Sequence, residues 1–498
     1  MNISHSTISG LVARVSSGSS YMIRDLKLSL SLGTRADCSF NVISELTGEE
    51  GKNELKHTTT TEQLHSAFKY GQYIIVEEMR SGSEPVCLFS GYVLNVGNSF
   101  ISGPYAIEST VTVTLVNAAE LYSNEAVRQP YYITRDRKYI AESTFASTLA
   151  TKITSQYIQN NEHRMDIAKY TAELIDWVTS PREVSLPMAT GVSPVHRISD
   201  VVNISTAPKL NWDLNHTSHL AKMMEHSIMS AIQQRTGLEV FNGILDNFFM
   251  ILTPRTNGLL DVIPNAGISK YKDNNLLNPA DIIGYQLYPS QYRANKYTTA
   301  ATVLPGSNTL IYALILGHDS SENPVAVEYK YEDLKKLADM APKSGLILPY
   351  GAISYIPLPD WAVFLDRNKS KSEIQNESPI PTASEKVLNE YYQLARIVCK
   401  GSIATGGGFS GRLVLSVLPE KYTAVCNSVG DVFKIDYSNP TTGNAAVRYG
   451  RLVGIHYSVD VSKDRLATQL TLSFDCVLTE DEYDKFSIDP EDVGFINT

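Results

Sequence analysis

The chain has 498 residues, of which 43% are apolar and 19% are charged, and its 43 basic and 53 acidic residues leave a net charge of −10. This length exceeds what one hydrophobic core holds, so several domains are expected, and the apolar fraction excludes general disorder. The acidic balance and the lack of a basic run argue against a protein that grips nucleic acid, because phosphate binding depends on clustered Lys and Arg.

The five cysteines are widely spaced and form no CxxC pair, which argues against a zinc ribbon or a thioredoxin-type site. They are Cys38, Cys87, Cys399, Cys426 and Cys476. We expect them to be small apolar side chains in a reducing compartment. No apolar signal segment follows Met1, and the longest apolar run, residues 310–316, is far shorter than the ~20 residues that span a bilayer. These features predict folding in the cytosol and no contact with a membrane.

Period-two alternation dominates the N-terminal region. Residues 26–32 alternate strictly, and residues 110–116 alternate again with Val111, Val113 and Leu115 on one face. This period predicts strands with one face in a core. The polar residues 47–69 between them predict an exposed loop with a short helix. We therefore assign residues 1–125 to a first β-barrel.

The middle of the chain mixes helical and strand patterns. Residues 126–240 are predicted to form an inserted helical or mixed domain, whose clearest helix covers residues 216–234 and has Gly237 at its C-terminal end. Residues 241–395 are predicted to form a mixed α/β middle domain with a linker. Its predicted elements are strands at 247–253 and 308–316, a helix at 331–340, the linker at 368–381 and the start of a capped helix at 383–400.

Short strands separated by turn residues return after Gly401. They are predicted at residues 412–418, 432–437, 452–459 and 466–474. This rhythm is typical of a sandwich or barrel, and we assign residues 396–485 to a second β-barrel. Residues 486–498 are predicted to be an acidic C-terminal tail.

The two β regions resemble each other. The spacing from Gly71 to Gly91 equals the spacing from Gly430 to Gly450, and each glycine leads into an apolar strand. An alternating strand then ends at Leu115 in the first region and, two positions sooner after its glycine, at Leu472 in the second. The pattern predicts two similar antiparallel units that differ by one loop change, with chance similarity as the alternative. Three copies of such a chain can arrange six barrels in a ring.

Residues 449–458 followed by 467–474 resemble the last barrel of phage baseplate hub proteins, and residues 89–93 with 110–115 resemble their first barrel. The resemblance covers the two ends of the chain and does not extend to its middle. It implies an α+β, mainly β fold in which two similar tail-tube-like antiparallel β-barrels flank an α/β middle region. It also implies a homotrimeric hub that joins the hexameric tail tube to the trimeric spike.

The same resemblance implies a structural protein of the virion tail baseplate, assembled in the bacterial host cytoplasm. Its expected partners are the tail-tube protein, the spike protein and other baseplate proteins. DNA is expected to pass through the lumen without specific binding, along a surface whose acidic balance repels phosphate. One alternative is the related spike protein of a contractile secretion apparatus, although the chain lacks a glycine- and valine-rich needle repeat. Another is a carbohydrate-active tail enzyme with its acids in the unmatched middle.

No catalytic, cofactor-binding or metal-binding residue is predicted, and no enzyme activity. The constellation His216, His219, Glu225 and His226 lacks the HExxH order, and Met223 between its histidines favours a packing face. Residues 406–413 contain a glycine run without the Lys and Ser or Thr of a phosphate loop, and they lead into a strand. The acids Glu480, Asp481, Glu482 and Asp484 are expected in a solvated terminal segment.

Overall fold

The computed structural model describes residues 8–123, 198–210, 237–288 and 411–496, most with short gaps, besides short segments between 132 and 175 and four strands between 294 and 357. The helices predicted over 216–234, 331–340 and 383–400, and the linker at 368–381, lie outside these residues. None of the described helices is long and apolar enough to cross a membrane.

The N-terminal region folds into a closed barrel with the strand order β1-β6-β7-β8-β3-β2, in which β1 pairs back onto β2. Its elements are β1 (Ile8–Val15), β2 (Ser20–Ser31), β3 (Ala36–Ile43), β4 (Leu46–Gly48), β5 (Leu55–His57), α1 (Thr61–Ala67), β6 (Tyr73–Arg80), β7 (Val86–Gly103), β8 (Ala106–Val116) and α2 (Ala118–Ser123). The alternation predicts its interior, because the apolar residues of both alternating runs are buried except Leu32, which is partly buried.

Small elements connect this first barrel to the rest of the chain. They are β9 (Tyr132–Ile133), β10 (Tyr139–Ile140), α3 (Ile198–Val201), β11 (Val202–Asn203), β12 (Lys209–Leu210), α4 (Gly237–Asn247), β13 (Met250–Pro254) and β14 (Leu260–Pro264). Gly237 was predicted to follow the end of a helix, whereas in the structure it lies within helix α4. The strand predicted from residue 247 begins at Met250, because Asn247 is still in α4 and Phe249 adopts a positive φ of 56° before the strand.

Two strands from the predicted middle domain, β15 (Leu276–Leu277) and β16 (Ile282–Tyr288), pair with the C-terminal strands. A separate four-stranded sheet, ordered β19-β18-β17-β20, follows them. Its strands are β17 (Ala294–Thr302), β18 (Leu310–His318), β19 (Pro324–Lys330) and β20 (Ala352–Pro357). The segment between β16 and β21 is therefore an insertion in the sequence of the second barrel. The division of the chain into five domains stays a prediction.

The second barrel has the strand order β15-β22-β23-β24-β21-β16. Its C-terminal elements are β21 (Arg412–Val417), α5 (Tyr422–Val425), β22 (Val432–Ser438), β23 (Ala445–Ser462), β24 (Arg465–Thr479), α6 (Glu480–Phe486) and β25 (Phe495–Ile496). The four predicted C-terminal strands are confirmed. The fold is mainly β with two similar barrels, as expected.

The acidic residues after β24 are part of folded structure. They begin helix α6, where the Glu482 backbone N–H donates to Thr479 Oγ1 at 3.4 Å and the Glu482 carboxylate accepts from the Thr479 N–H at 2.9 Å. The Tyr483 ring then stacks on Tyr449 with centroids 3.8 Å apart. Glu480, Asp481 and Asp484 are solvent-exposed, as expected, but they lie on a helix that a capping box and an aromatic contact hold on the barrel. Farther on, β25 pairs with β12.

Candidate assembly interface

The two barrels have the same strand order and the same register. In each, a row of directly opposed residues crosses four strands on the core side. The row of the first barrel is Leu28, Cys38, Leu115 and Val93, and the row of the second is Leu287, Leu413, Phe474 and Leu452. Strands β2, β3, β8 and β7 are therefore equivalent to β16, β21, β24 and β23.

The glycines of the repeat occupy equivalent positions, because the offset from Gly71 to Gly430 is the same as the offset from Gly91 to Gly450. The Gly71 N–H donates to Val93 O at 2.7 Å, and the Gly430 N–H donates to Leu452 O at 2.7 Å. Both of these glycines have positive φ, 74° and 98°, which L-residues with a Cβ adopt at a cost. The turn that leads into β6 and β22 is thus built in the same way in both barrels.

The structure corrects the end of the sequence repeat. The strand after Gly91 was matched through Leu115 to Leu472, with a loop change of two residues. The ladder instead places Leu115 opposite Val93 and Phe474 opposite Leu452, and Leu115 and Phe474 are equally far along the chain from their equivalent glycines. The bulges coincide as well, between Val93 and Asn95 and, at the same offset, in β23. The repeat therefore contains no loop change between these strands.

The barrels are joined by a strand pair, which we call the seam: residues 26–31 of β2 with residues 454–459 of β23. Its core side is sealed, since Leu28 is 0% exposed and its partner Tyr457 is 2% exposed. The strand β2 pairs with β1 before Asp25 and with β23 after it. Asp25 has a positive φ of 53°, and its carboxylate accepts from the Asn41 amide at 2.9 Å, which holds the bend that changes the partner strand.

Two further contacts hold the barrels together beside the seam. The Tyr422 hydroxyl of the second barrel donates to Leu88 O of the first at 2.6 Å, and its ring stacks on Tyr457 with centroids 4.5 Å apart. The turn at Thr256 contacts both units. Its carbonyl accepts from the Ser90 N–H at 2.6 Å, and its N–H donates to Asn427 Oδ1 at 3.1 Å. These contacts give the two barrels a defined relative orientation.

The face of the joined sheet that points away from the core is polar and continuous across the seam. One row of opposed residues crosses six strands and consists of Asn95, Thr114, Ser39, Lys27, Ser458 and Gln469. A single member of this row carries a full charge. The polar face is thus formed mainly by hydroxyl and amide groups, which neither attract nor repel phosphate strongly.

Two sequence motifs, a histidine constellation and a glycine run, were predicted not to form chemical sites. The constellation at His216 to His226 lies outside the described residues, and within them no group of three His, Cys, Asp or Glu side chains could hold a metal ion. Of the glycine run at 406–413, only residues 411–413 are described, and they lead into β21 as predicted.

Among the described cysteines, Cys38, Cys426 and Cys476 are buried and lack the properties of nucleophiles, whereas Cys87 is exposed. Burial raises the pKa of Cys426 to about 11 and that of Cys476 to about 12, and it raises the pKa of Cys38 still further. Their thiols stay protonated at neutral pH, and the thiolate is the reactive form.

One ion pair, in which Arg451 is buried and Asp475 is partly exposed, distinguishes the second barrel from the first. The Arg451 guanidinium donates to both oxygens of Asp475 at 2.9 and 2.7 Å and to Asn265 Oδ1 at 2.7 Å. The equivalent positions in the first barrel are Tyr92 and Val116, which also oppose each other. The geometry is that of a bidentate structural pair, which fixes β23 against β24.

No family model matches this chain, and no curated protein matches it in sequence. Solved structures do resemble it. One is the 43 kDa tail protein of prophage MuSo2 from Shewanella oneidensis, at 11% identity and a TM-score of 0.39, covering 96% of this chain and 100% of that one. Another is a tail protein from Neisseria meningitidis MC58, at 10% identity and a TM-score of 0.41, covering 97% and 99%.

A third similar structure is an E. coli component of the type VI secretion system, described as similar to the T4 tail proteins gp27 and gp5. It is 8% identical, with a TM-score of 0.29, and the match covers 96% of this chain and 79% of that one. These three similar structures are thus two tail proteins and a component of a type VI secretion system.

Proposed function

We propose that this chain is a structural baseplate hub that assembles as a homotrimer, with six barrels in a ring of threefold symmetry that imitates sixfold. The observation that carries the proposal is the equivalence of the two barrels in strand order, register and bulge position. Each barrel occupies one sixth of such a ring, and one chain supplies two adjacent sixths. A ring of this kind matches a sixfold tube on one side and a threefold spike on the other.

The seam supports this reading because it is a lateral strand pair and leaves the polar face uninterrupted. If the six barrels continue around an axis with this face inward, the lumen is lined by Ser, Thr, Asn and Gln. DNA then passes without specific binding, since the face offers few charges to the phosphates. In this proposal, the low charge of the face replaces the acidic repulsion that the overall composition suggested.

The proposed partners are the tail-tube protein, the spike protein and other baseplate proteins, in a virion assembled in the host cytoplasm. The role is symmetry matching and mechanical transmission, without catalysis. An alternative in the same class is the hub of a contractile secretion apparatus, for which the ring would be the same.

Electron microscopy of the purified chain, together with native mass spectrometry, tests the proposal. We expect particles of three times 55.0 kDa whose class averages are rings with six lobes. A chain that stays monomeric at high concentration, or that forms twofold dimers, would contradict the ring. A chain that cleaves peptidoglycan and loses this activity on substitution of a single acidic residue would favour the enzyme alternative.

A further inference from the structure

The seam joins one edge of the first barrel, β2, to one edge of the second barrel, β23. Because the barrels are equivalent, the second barrel has an edge that corresponds to β2, and the first barrel has an edge that corresponds to β23. The segment of β23 in the seam is equivalent to residues 95–100 of β7, at the offset that relates the glycines. The segment of β2 in the seam is equivalent to the end of β16, since Leu28 corresponds to Leu287. Each chain therefore has one β7 edge and one β16 edge that correspond to the two sides of its own seam.

Both edges are open among the described strands. Residues 95–103 of β7 pair with β8 on one side, and no other described strand pairs with them. Of the strands that the structure describes, only β21 pairs with β16. An open edge presents backbone N–H and C=O groups in the pattern that a further strand requires.

Burial differs at equivalent positions in the way that a missing neighbour predicts. Leu26 and Leu28, which β23 covers, are 0% exposed, whereas their equivalents Tyr285 and Leu287 are only partly buried. On the other edge, Ile455 is 1% exposed and its equivalent Val96 is partly buried. The core sides of both edges thus keep apolar surface that a second strand would cover.

We propose that β16 of one chain pairs antiparallel with β7 of the next copy in the register of the seam. Tyr288 then lies opposite Gly97 of the partner subunit, and Leu287 lies opposite Asn98 of the partner subunit. The ladder ends there, because Pro289 has no backbone N–H. The contact is head-to-tail, so three copies close into a ring when the rotation at each contact matches that of the seam. This inference rests on the proposed ring and specifies which strands form it.

Engineered disulfides test the register. The variant Gly97→Cys/Tyr288→Cys, in a Cys87→Ser background, places two cysteines at the proposed contact. A side chain at position 97 has room, since a Cβ built there meets no atom within 4 Å. The matched control is Ser29→Cys/His456→Cys, because this pair occupies the equivalent positions inside the seam. Hydrogen-bonded and non-hydrogen-bonded pairs alternate along an antiparallel ladder. Because the Leu32 N–H donates to Val453 O, the Ser29–His456 pair, three residues away, is non-hydrogen-bonded. Residues of such a pair are closely spaced, which suits a disulfide.

Under mild oxidation we expect the test variant to form covalent dimers and trimers, with a peptide linking positions 97 and 288. Each single-cysteine variant should lack these species, and the control should form its link within one chain. A trimer in native mass spectrometry that yields no 97–288 link, while the control is oxidised, would overturn the strand assignment and leave the ring standing. A monomer that forms no link at high concentration would contradict both the assignment and the ring.

Discussion

The first barrel is closed by its own strands, whereas the second leaves two strands apart. In the first, β1 pairs antiparallel with both β2 and β6. In the second, β15 has only two residues, runs parallel to β22, and among the described strands does not pair with β16. The four-strand ladder and the glycine turns are kept in both. The four-strand ladder and its edges are therefore the geometry that both barrels share. The strand that would close the barrel, β1 in the first and β15 in the second, differs between them.

The largest expected effect on stability is at the Arg451–Asp475 ion pair, whose two positions are occupied by apolar or aromatic residues in the first barrel. Arg451→Ala leaves a carboxylate and an amide without their donor, and we expect a loss of about 3 kcal/mol in the free energy of unfolding. The swap Arg451→Tyr/Asp475→Val introduces the residues of the first barrel, and it should recover most of this loss. Urea unfolding of the three variants measures the coupling. If the swap is as unstable as Arg451→Ala, the two positions are not interchangeable between the barrels.

The next largest effect is a difference in the cost of replacing two equivalent strand glycines, Gly91 and Gly450, with alanine. A Cβ at Gly91 would lie 2.5 Å from Val116 O and 2.7 Å from the Phe89 ring, whereas a Cβ at Gly450 would lie 3.2 Å from the Phe474 Cβ. Since backbone cannot yield as a side chain can, we expect Gly91→Ala to cost about 2–3 kcal/mol and Gly450→Ala about 1 kcal/mol or less. Thermal or urea unfolding of both variants measures the difference. Equal costs would show that the packing around one of these two glycines differs from the described geometry.

A smaller effect concerns the contact of Tyr422 with the first barrel. Tyr422→Phe removes the hydrogen bond to Leu88 O, and we expect a cost of about 1 kcal/mol at neutral pH. Burial raises the pKa of Tyr422 above its ordinary value of 10, so the folded state holds this proton more tightly than the unfolded state does. The stabilisation is complete below about pH 10 and declines as the pH rises toward the raised pKa. The gap between variant and wild type should therefore narrow in unfolding measured near pH 11.

Tyr288→Phe is the control for this prediction, because Tyr288 is half exposed on β16. Its unfolding curves should follow those of the wild type at both pH values. A gap for Tyr422→Phe that stays constant with pH would mean that ionisation of this hydroxyl does not contribute to unfolding in base.

The sequence predicted the interior of both barrels because one buried face imposes period two on each strand. It misplaced the end of the repeat for the same reason. A slip of two residues keeps every side chain on its face, so Leu472 and Phe474 both satisfy the pattern, and only the ladder distinguishes them. A slip of one residue would have been visible.

The strand β16 could not be assigned to the second barrel from the sequence. Its ladder partner β21 begins at Arg412, so the two strands are far apart in the chain, and its nearly continuous apolar run has no clear period. The candidate interface was missed with it. The signal was the constant offset of the glycines, which identifies the equivalent edges once the position of β16 is known.

The central claim is that the open edge of β7 is a contact between chains, and Asn98 tests it most directly. In the seam the equivalent Tyr457 forms a hydrogen-bonded pair with Leu28 of β2, so the Asn98 N–H points sideways, away from β8 and toward the open edge. Asn98→Pro removes this donor at an exposed edge, whereas Asn98→Ala keeps it. We predict that Asn98→Ala unfolds like the wild type and is trimeric in native mass spectrometry, whereas Asn98→Pro stays folded but is monomeric and lacks the stabilisation that assembly adds. A trimeric Asn98→Pro would contradict the account.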